Sequence, residues 1–148
     1  MNLWLLTITT QRLTGPAGLM LDEYVGRSGR YLHSVHKNFL TEGQLVGFVE
    51  AAQGRARPVL LLMDRQGKLL SSEQFSEVIG FYQSSGTQQL MVAIGPADGW
   101  SEAILVRADR VISFGKITLP HQLAAIVAAE QMYRALTILA GHPYHKGH

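Results

Sequence analysis

The sequence predicts an α/β domain, with a mostly parallel sheet and helices on both of its faces. Three observations carry that prediction. The runs at residues 58–63 and 89–94 are continuously apolar, as strands covered on both sides must be. Strand-like and helix-like segments alternate along the whole chain, the pattern of repeated βα units. Of the 148 residues 47% are hydrophobic and only 16% charged, enough apolar side chain for a core and for a further buried surface such as a subunit interface.

The elements follow in order. Residues 3–9 form a strand rich in β-branched and aromatic side chains. Gly15-Pro16 punctuates the chain before a short helix over residues 17–27. Residues 31–36 alternate as a strand. Residues 41–53 make an amphipathic helix with Leu45, Phe48 and Val49 on its inner face. The buried strand at 58–63 runs into a turn at 64–68. Ser71 and Gln74 then stand at capping-box spacing and open a helix to about residue 84. After the strand at 89–94 come the loop Gly95–Trp100, a helix over 101–108 and a fifth strand over 110–114. A long helical pattern closes the chain. With no repeat or linker between these elements, one domain spanning residues 1–148 is expected.

Composition narrows the function. With no cysteine there are no disulfides and no thiolate metal sites, which fits a reducing, cytoplasmic setting. The first residues lack the basic start and cleavage-like site of a signal peptide. Glu130, Gln131, Tyr133 and Arg134 sit in the middle of the apolar run at 123–139 and argue against a membrane span. A net charge of +2 permits a nucleic-acid partner without demanding one.

In parallel sheets ligands bind beyond the carboxyl ends of strands, which points to the loops at 64–68, 95–100 and 115–119. The glycine loop is neither GxGxxG nor a Walker loop. Lys116, in a loop after a strand, reads first as a solvated lysine. Ser71 and Ser72 are accounted for by helix capping, so no hydrolase is read from them. The final helix is the most informative part. Between Lys116 and Lys146 only Glu130 and Arg134 carry charge, at the i, i+4 spacing of a helical ion pair, and four of the six histidines lie from His121 onward. A solvated helix would carry more charge, so this one is buried on most sides. His142 and His145 have Pro143 between them and no acidic neighbour in sequence, so no metal site is expected.

The C-terminal string ITLPHQL…EQMYRA…GHPYHK closely resembles the end of the RlmH family, the pseudouridine N3-methyltransferases of 23S rRNA in the SPOUT superfamily. LMDRQGKLLSSEQF is similar to that family's LD..GK..SSE.F, and AIGPADGWS to its IGGPEGLS. The resemblance implies a C-terminal trefoil knot, a homodimer built on the final helix and tail, and S-adenosylmethionine as cofactor. It implies a cofactor pocket of Met63, Gly95, Ser113, Phe114, Gly115, Lys116, Ile117 and Thr118. Arg134, His121, Tyr144 and His145 become the candidates for the chemistry, with an rRNA target presented on assembled ribosomes in the helix 69 region. A non-catalytic knotted dimer that binds RNA or the ribosome is the other reading. The chain departs from the pattern at Gly95-Pro96-Ala97 and at Ala125, where relatives commonly carry arginine.

Overall fold

The computed structural model describes residues 1–54 and 56–147; His148 of the tail lies outside them. Ten elements follow one another: β1 Asn2–Ile8, α1 Gly15–Ser28, β2 Ser34–Phe39, α2 Glu42–Ala51, β3 Val59–Leu69, α3 Ser72–Ser84, β4 Gln89–Ile94, α4 Glu102–Arg107, β5 Arg110–Ser113 and α5 His121–Leu139. The five strands make one sheet in the order β2-β1-β4-β3-β5, and every pairing is parallel.

Side chains that alternate along each strand feed two cores. Leu3, Leu5, Leu61, Leu90 and Val92 face α1, α3 and α5. Leu6, Leu60, Leu62, Met91 and Ala93 face α2 and α4, where they meet Leu45, Val49 and Ile104. Helices therefore cover both faces, as the apolar runs predict. Helix α5 is buried through Ala125, Ala128, Ala129 and Ala135, small side chains that allow close approach to its neighbours. Ala125 has no exposed surface, so in this chain the position contributes packing and no cation toward RNA. Among the described residues no helix is long and apolar enough to cross a membrane.

Local chemistry sets most of the helix starts. Ser71 Oγ accepts from the Gln74 main-chain N–H at 3.1 Å, and Gln74 Oε1 accepts from the Ser71 N–H at 2.9 Å, completing the expected capping box. Thr41 Oγ1 accepts from Gln44 N at 3.2 Å and caps α2.

Two strands differ from the sequence reading. Strand β2 begins at Ser34 rather than at residue 31, because Tyr31 and Leu32 donate their N–H groups back to Ser28 O and close the end of α1. Strand β3 does not stop at a turn after Met63. Ile112 of β5 lies opposite both Met63 and Lys68, so the intervening segment arches over β5 and β3 resumes to Leu69. Gly67 sits where that arch touches β5. A Cβ there would come within 2.7 Å of Ile112 N and Val111 C.

Candidate functional site

Where β3 parts from β4 beyond Met63, the middle of β3 and the chain leaving β4 and β5 wall one cavity of about 600 Å³. Met63 and Arg65 enter it from β3, Gly95 and Trp100 from the loop after β4, and residues 113–115 and 117–120 from the end of β5 and the loop after it; His121, Ala124 and Val127 of α5 close it. Phe114 turns its ring away into the core, edge-on to Phe75 at 5.1 Å, which leaves its main chain at the cavity. Ser113, almost wholly buried, shapes the next turn: its Oγ accepts from Gly115 N at 3.1 Å and donates to Gly115 O at 2.8 Å. Apolar walls beside main-chain polar groups, in a space of this size, suit a nucleoside-bearing cofactor.

His121 is the ionisable group of α5 in this cavity. Burial lowers its pKa below the usual imidazole value, against a hydrogen bond to the Gly95 main chain that acts in the opposite sense. Its Nε2 is buried with no partner among the described residues. The ring is therefore held neutral, with one nitrogen left for a ligand. Arg65 spans the mouth: its Nη1 donates to Thr118 Oγ1 at 2.7 Å.

The second cluster lies at the other end of α5. Arg134 binds Glu130 through Nη2 at 2.6 Å and Nε at 2.8 Å, so the i, i+4 pair exists as expected. Its guanidinium also lies 4.9 Å from the Tyr144 ring centre and 3.0 Å, through Nη1, from His145 Nδ1. His145 Nε2 in turn meets Glu73 Oε1 at 2.7 Å, which lowers the Glu73 pKa. Tyr144 donates its hydroxyl to Glu130 Oε1 at 3.2 Å. Burial, and then Glu130, push its pKa up to about 12, so the phenol stays protonated at neutral pH. Beside Glu130 the Arg134 pKa is raised further, so it remains a cation.

Of the residues anticipated from sequence, Met63, Gly95, Ser113, Phe114, Gly115, Ile117, Thr118 and His121 line the cavity, whereas Lys116 is not among its lining residues and is exposed. Arg134, Tyr144 and His145 come together, but away from that cavity. His121 and Arg134 are 13 residues apart on one helix, about 20 Å at 1.5 Å per residue. Sequence reasoning missed Arg65, Trp100 and Glu73. An aromatic and a cation placed in strand-end loops are the signals that mark the first two; nothing local marks Glu73, which reaches the tail only through the packing of α3 on α5. No group of three or more metal-ligating side chains is present among the described residues.

Comparison with known proteins agrees with this geometry. Residues 1–145 match the family model described as "Predicted SPOUT methyltransferase". The chain is 46% identical to the ribosomal RNA large subunit methyltransferase H of Koribacter versatilis (strain Ellin345), over 82% of this chain and 87% of that protein. It is 42% identical to the enzyme of the same name from Rhizobium meliloti (strain 1021), over 80% of this chain and 88% of that one. Among solved structures it resembles the SpoU methyltransferase AviRb of Streptomyces viridochromogenes, in complex with AdoMet, with a TM-score of 0.50 at 14% identity, covering 95% of this chain and 61% of that chain. A probable methylase family protein from Haemophilus influenzae Rd KW20 gives a TM-score of 0.55 at 7% identity, covering 97% of this chain and 69% of that chain. At such identities the structures speak for the SPOUT-like α/β fold, and the sequences for the family. The chain belongs to the SPOUT methyltransferases, and within them to the ribosomal RNA large subunit methyltransferase H family.

Proposed function

We propose that this protein uses S-adenosylmethionine to methylate 23S rRNA at N3 of a pseudouridine in the helix 69 region on assembled ribosomes. We infer that it does so in the cytoplasm, as a homodimer of single-domain subunits. The observation that carries the reading is the division of the candidate chemistry between the two ends of α5. One chain supplies a nucleoside-sized cavity with a neutral histidine, and a cation braced by Glu130 about 20 Å away, too far to serve the same base. Leu123 and Val127, both exposed, lie on the stripe of α5 that continues through Glu130 and Arg134 at helical spacing. Two such stripes packed about a two-fold axis bury those side chains and bring each cavity toward the partner copy's tail. That accounts for a helix with so little charge.

The bound cofactor supplies an electrophilic methyl group. This chain's residues supply the rest. N3 of the base carries a proton that passes to solvent water ahead of N–C bond formation, so negative charge develops on the ring before the methyl arrives. Arg134, fixed by Glu130 and lying over Tyr144, is placed to offset that charge without reorganising. Tyr144, protonated at neutral pH, serves as a hydrogen-bond donor rather than a base. His121 Nε2 is the unpartnered ring nitrogen available to a ligand in the cavity. N3 lies on the pairing edge, so the target base is taken unpaired or flipped out.

The test uses labelled S-adenosylmethionine and ribosomes lacking the modification, with methyl groups mapped on the rRNA. Cofactor binding without transfer leaves the RNA-binding reading in place of the enzyme. Arg134→Ala and His121→Ala chains, each inactive alone, should regain about a quarter of wild-type transfer when mixed, since half of the random dimers then hold one complete site. No regain with dimers intact by light scattering would refute the shared site. Loss of the dimer in Arg134→Ala would make that arginine structural.

A further inference from the structure

Strands β3 and β4 pair as far as Met63 opposite Ile94, and beyond that point the two chains separate to open the cavity. One side chain bridges the gap. Trp100 Nε1 donates to Met63 O at 3.0 Å and so ties the end of the glycine loop to β3 at the point where it parts from β4. The same indole lies on Gly95: a Cβ there would come within 2.7 Å of Cε2 and 3.0 Å of Cδ2 and Cζ2. Gly95 has no left-handed φ to explain a glycine. Its bare Cα is the socket for the indole. The next residue is held from the other side. Ser101 donates its N–H to Glu42 Oε1 at 2.9 Å and its hydroxyl to Glu42 Oε2, which anchors the start of α4 to α2. Residues 96–99 are thus strung between a strand end and two adjacent tethered residues; the turn between them is closed by Gly99 N to Pro96 O at 3.0 Å, and Pro96, Ala97 and Gly99 line the cavity.

We propose that Trp100 is a positioning residue for the cofactor: its indole, seated on Gly95 and bonded to the Met63 carbonyl, sets the spacing of two walls of the cavity before ligand arrives. The inference rests on the reading of that cavity as the S-adenosylmethionine site. Holding the walls in place spares the ordering cost that a loose loop would impose on binding. Replacing the indole N–H removes one neutral hydrogen bond, which corresponds to roughly a three- to tenfold loss of affinity.

The experiment measures S-adenosylmethionine binding by calorimetry in the full-length protein. Trp100→Phe should raise Kd roughly three- to tenfold and leave affinity for an rRNA fragment unchanged. Gly95→Ala should weaken cofactor binding in the wild type and distinctly less in the Trp100→Phe background, because its effect passes through the indole. In a Trp4→Phe background, where Trp100 is the sole tryptophan, its emission should shift as cofactor is added. Ala124→Phe, which fills the cavity, separates the two ideas. If it abolishes binding while Trp100→Phe binds as wild type, or while the two substitutions at 95 and 100 are simply additive, the positioning role is refuted and the cavity reading stands. If Ala124→Phe binds normally, the cavity reading fails and the role of Trp100 fails with it.

Discussion

Gly67→Ala isolates the contact on which the β3 arch depends. The added Cβ would lie 2.7 Å from Ile112 N and Val111 C and 2.8 Å from Ile112 C, all main-chain atoms that no rotamer change can move. Ordinary contact begins near 3.4 Å, so β5 and the arch must part by 3.4 − 2.7, about 0.7 Å. A shift of that size stretches the Leu70 N to Ser113 O bond from 3.0 Å to about 3.7 Å, past hydrogen-bonding range. The lost bond costs about 1 kcal/mol and the overpacking about 2 kcal/mol. Together, about 3 kcal/mol corresponds to a fall in melting temperature of roughly 6–12 °C for a chain of this size. Met63, Ile112 and Ser113 line the cavity, so cofactor affinity should fall as well. Urea unfolding with a calorimetric titration checks both. Gly47→Ala in α2 is the control, because its Cβ meets nothing within 4 Å and the change should be neutral or stabilising by up to about 1 kcal/mol. A Gly67→Ala protein within about 0.5 kcal/mol of wild type would refute the close-approach argument.

Two further outcomes are expected. Burial lowers the pKa of both His36 and His121 below 6.5, so the folded protein binds fewer protons than the unfolded chain; the stability this confers is present above 6.5 and is lost as pH falls through the depressed values. Melting temperature should therefore drop between pH values of about 7.5 and about 5.5, and His121→Gln should flatten that slope; an unchanged slope in His36→Gln/His121→Gln would assign the acid sensitivity elsewhere. Ser71→Ala removes the capping box of α3 and should cost about 1 kcal/mol in urea unfolding, with Ser85→Ala, at the far end of the same helix, as the comparison.

What the sequence made legible was chemistry that acts over a few residues. Ser71 and Gln74 specify their capping box without help from the rest of the chain, and the apolar runs ending at Met63 and Ile94 name strands covered on both faces. Tyr31 misled because its aromatic ring fits a strand, whereas here it packs near Tyr133 of α5 while its N–H closes α1. Asp64 to Gly67 read as a turn because polar residues and glycine ordinarily do; only the passage of β5 beneath them makes them an arch. The carboxyl-end rule located the three cavity loops from sequence. It could not assign Gly95 to the indole of Trp100, since that depends on where a side chain five residues away comes to rest. Nor could spacing join Glu73 to His145, which are 72 positions apart.

The strand order also sets a timetable. The pairing of β1 with β2 needs only the first 39 residues, but the other edge of β1 waits for β4, which begins at Gln89. At 5–20 residues per second, those 50 intervening residues take roughly 2.5–10 s to synthesise. Throughout that interval the β4-facing edge of β1 has no partner strand, and Leu3 and Leu5 on one side of it lack the cover that the last helix, α5, eventually provides. A nascent chain of this kind is open to edge-to-edge association until β4 has left the ribosome.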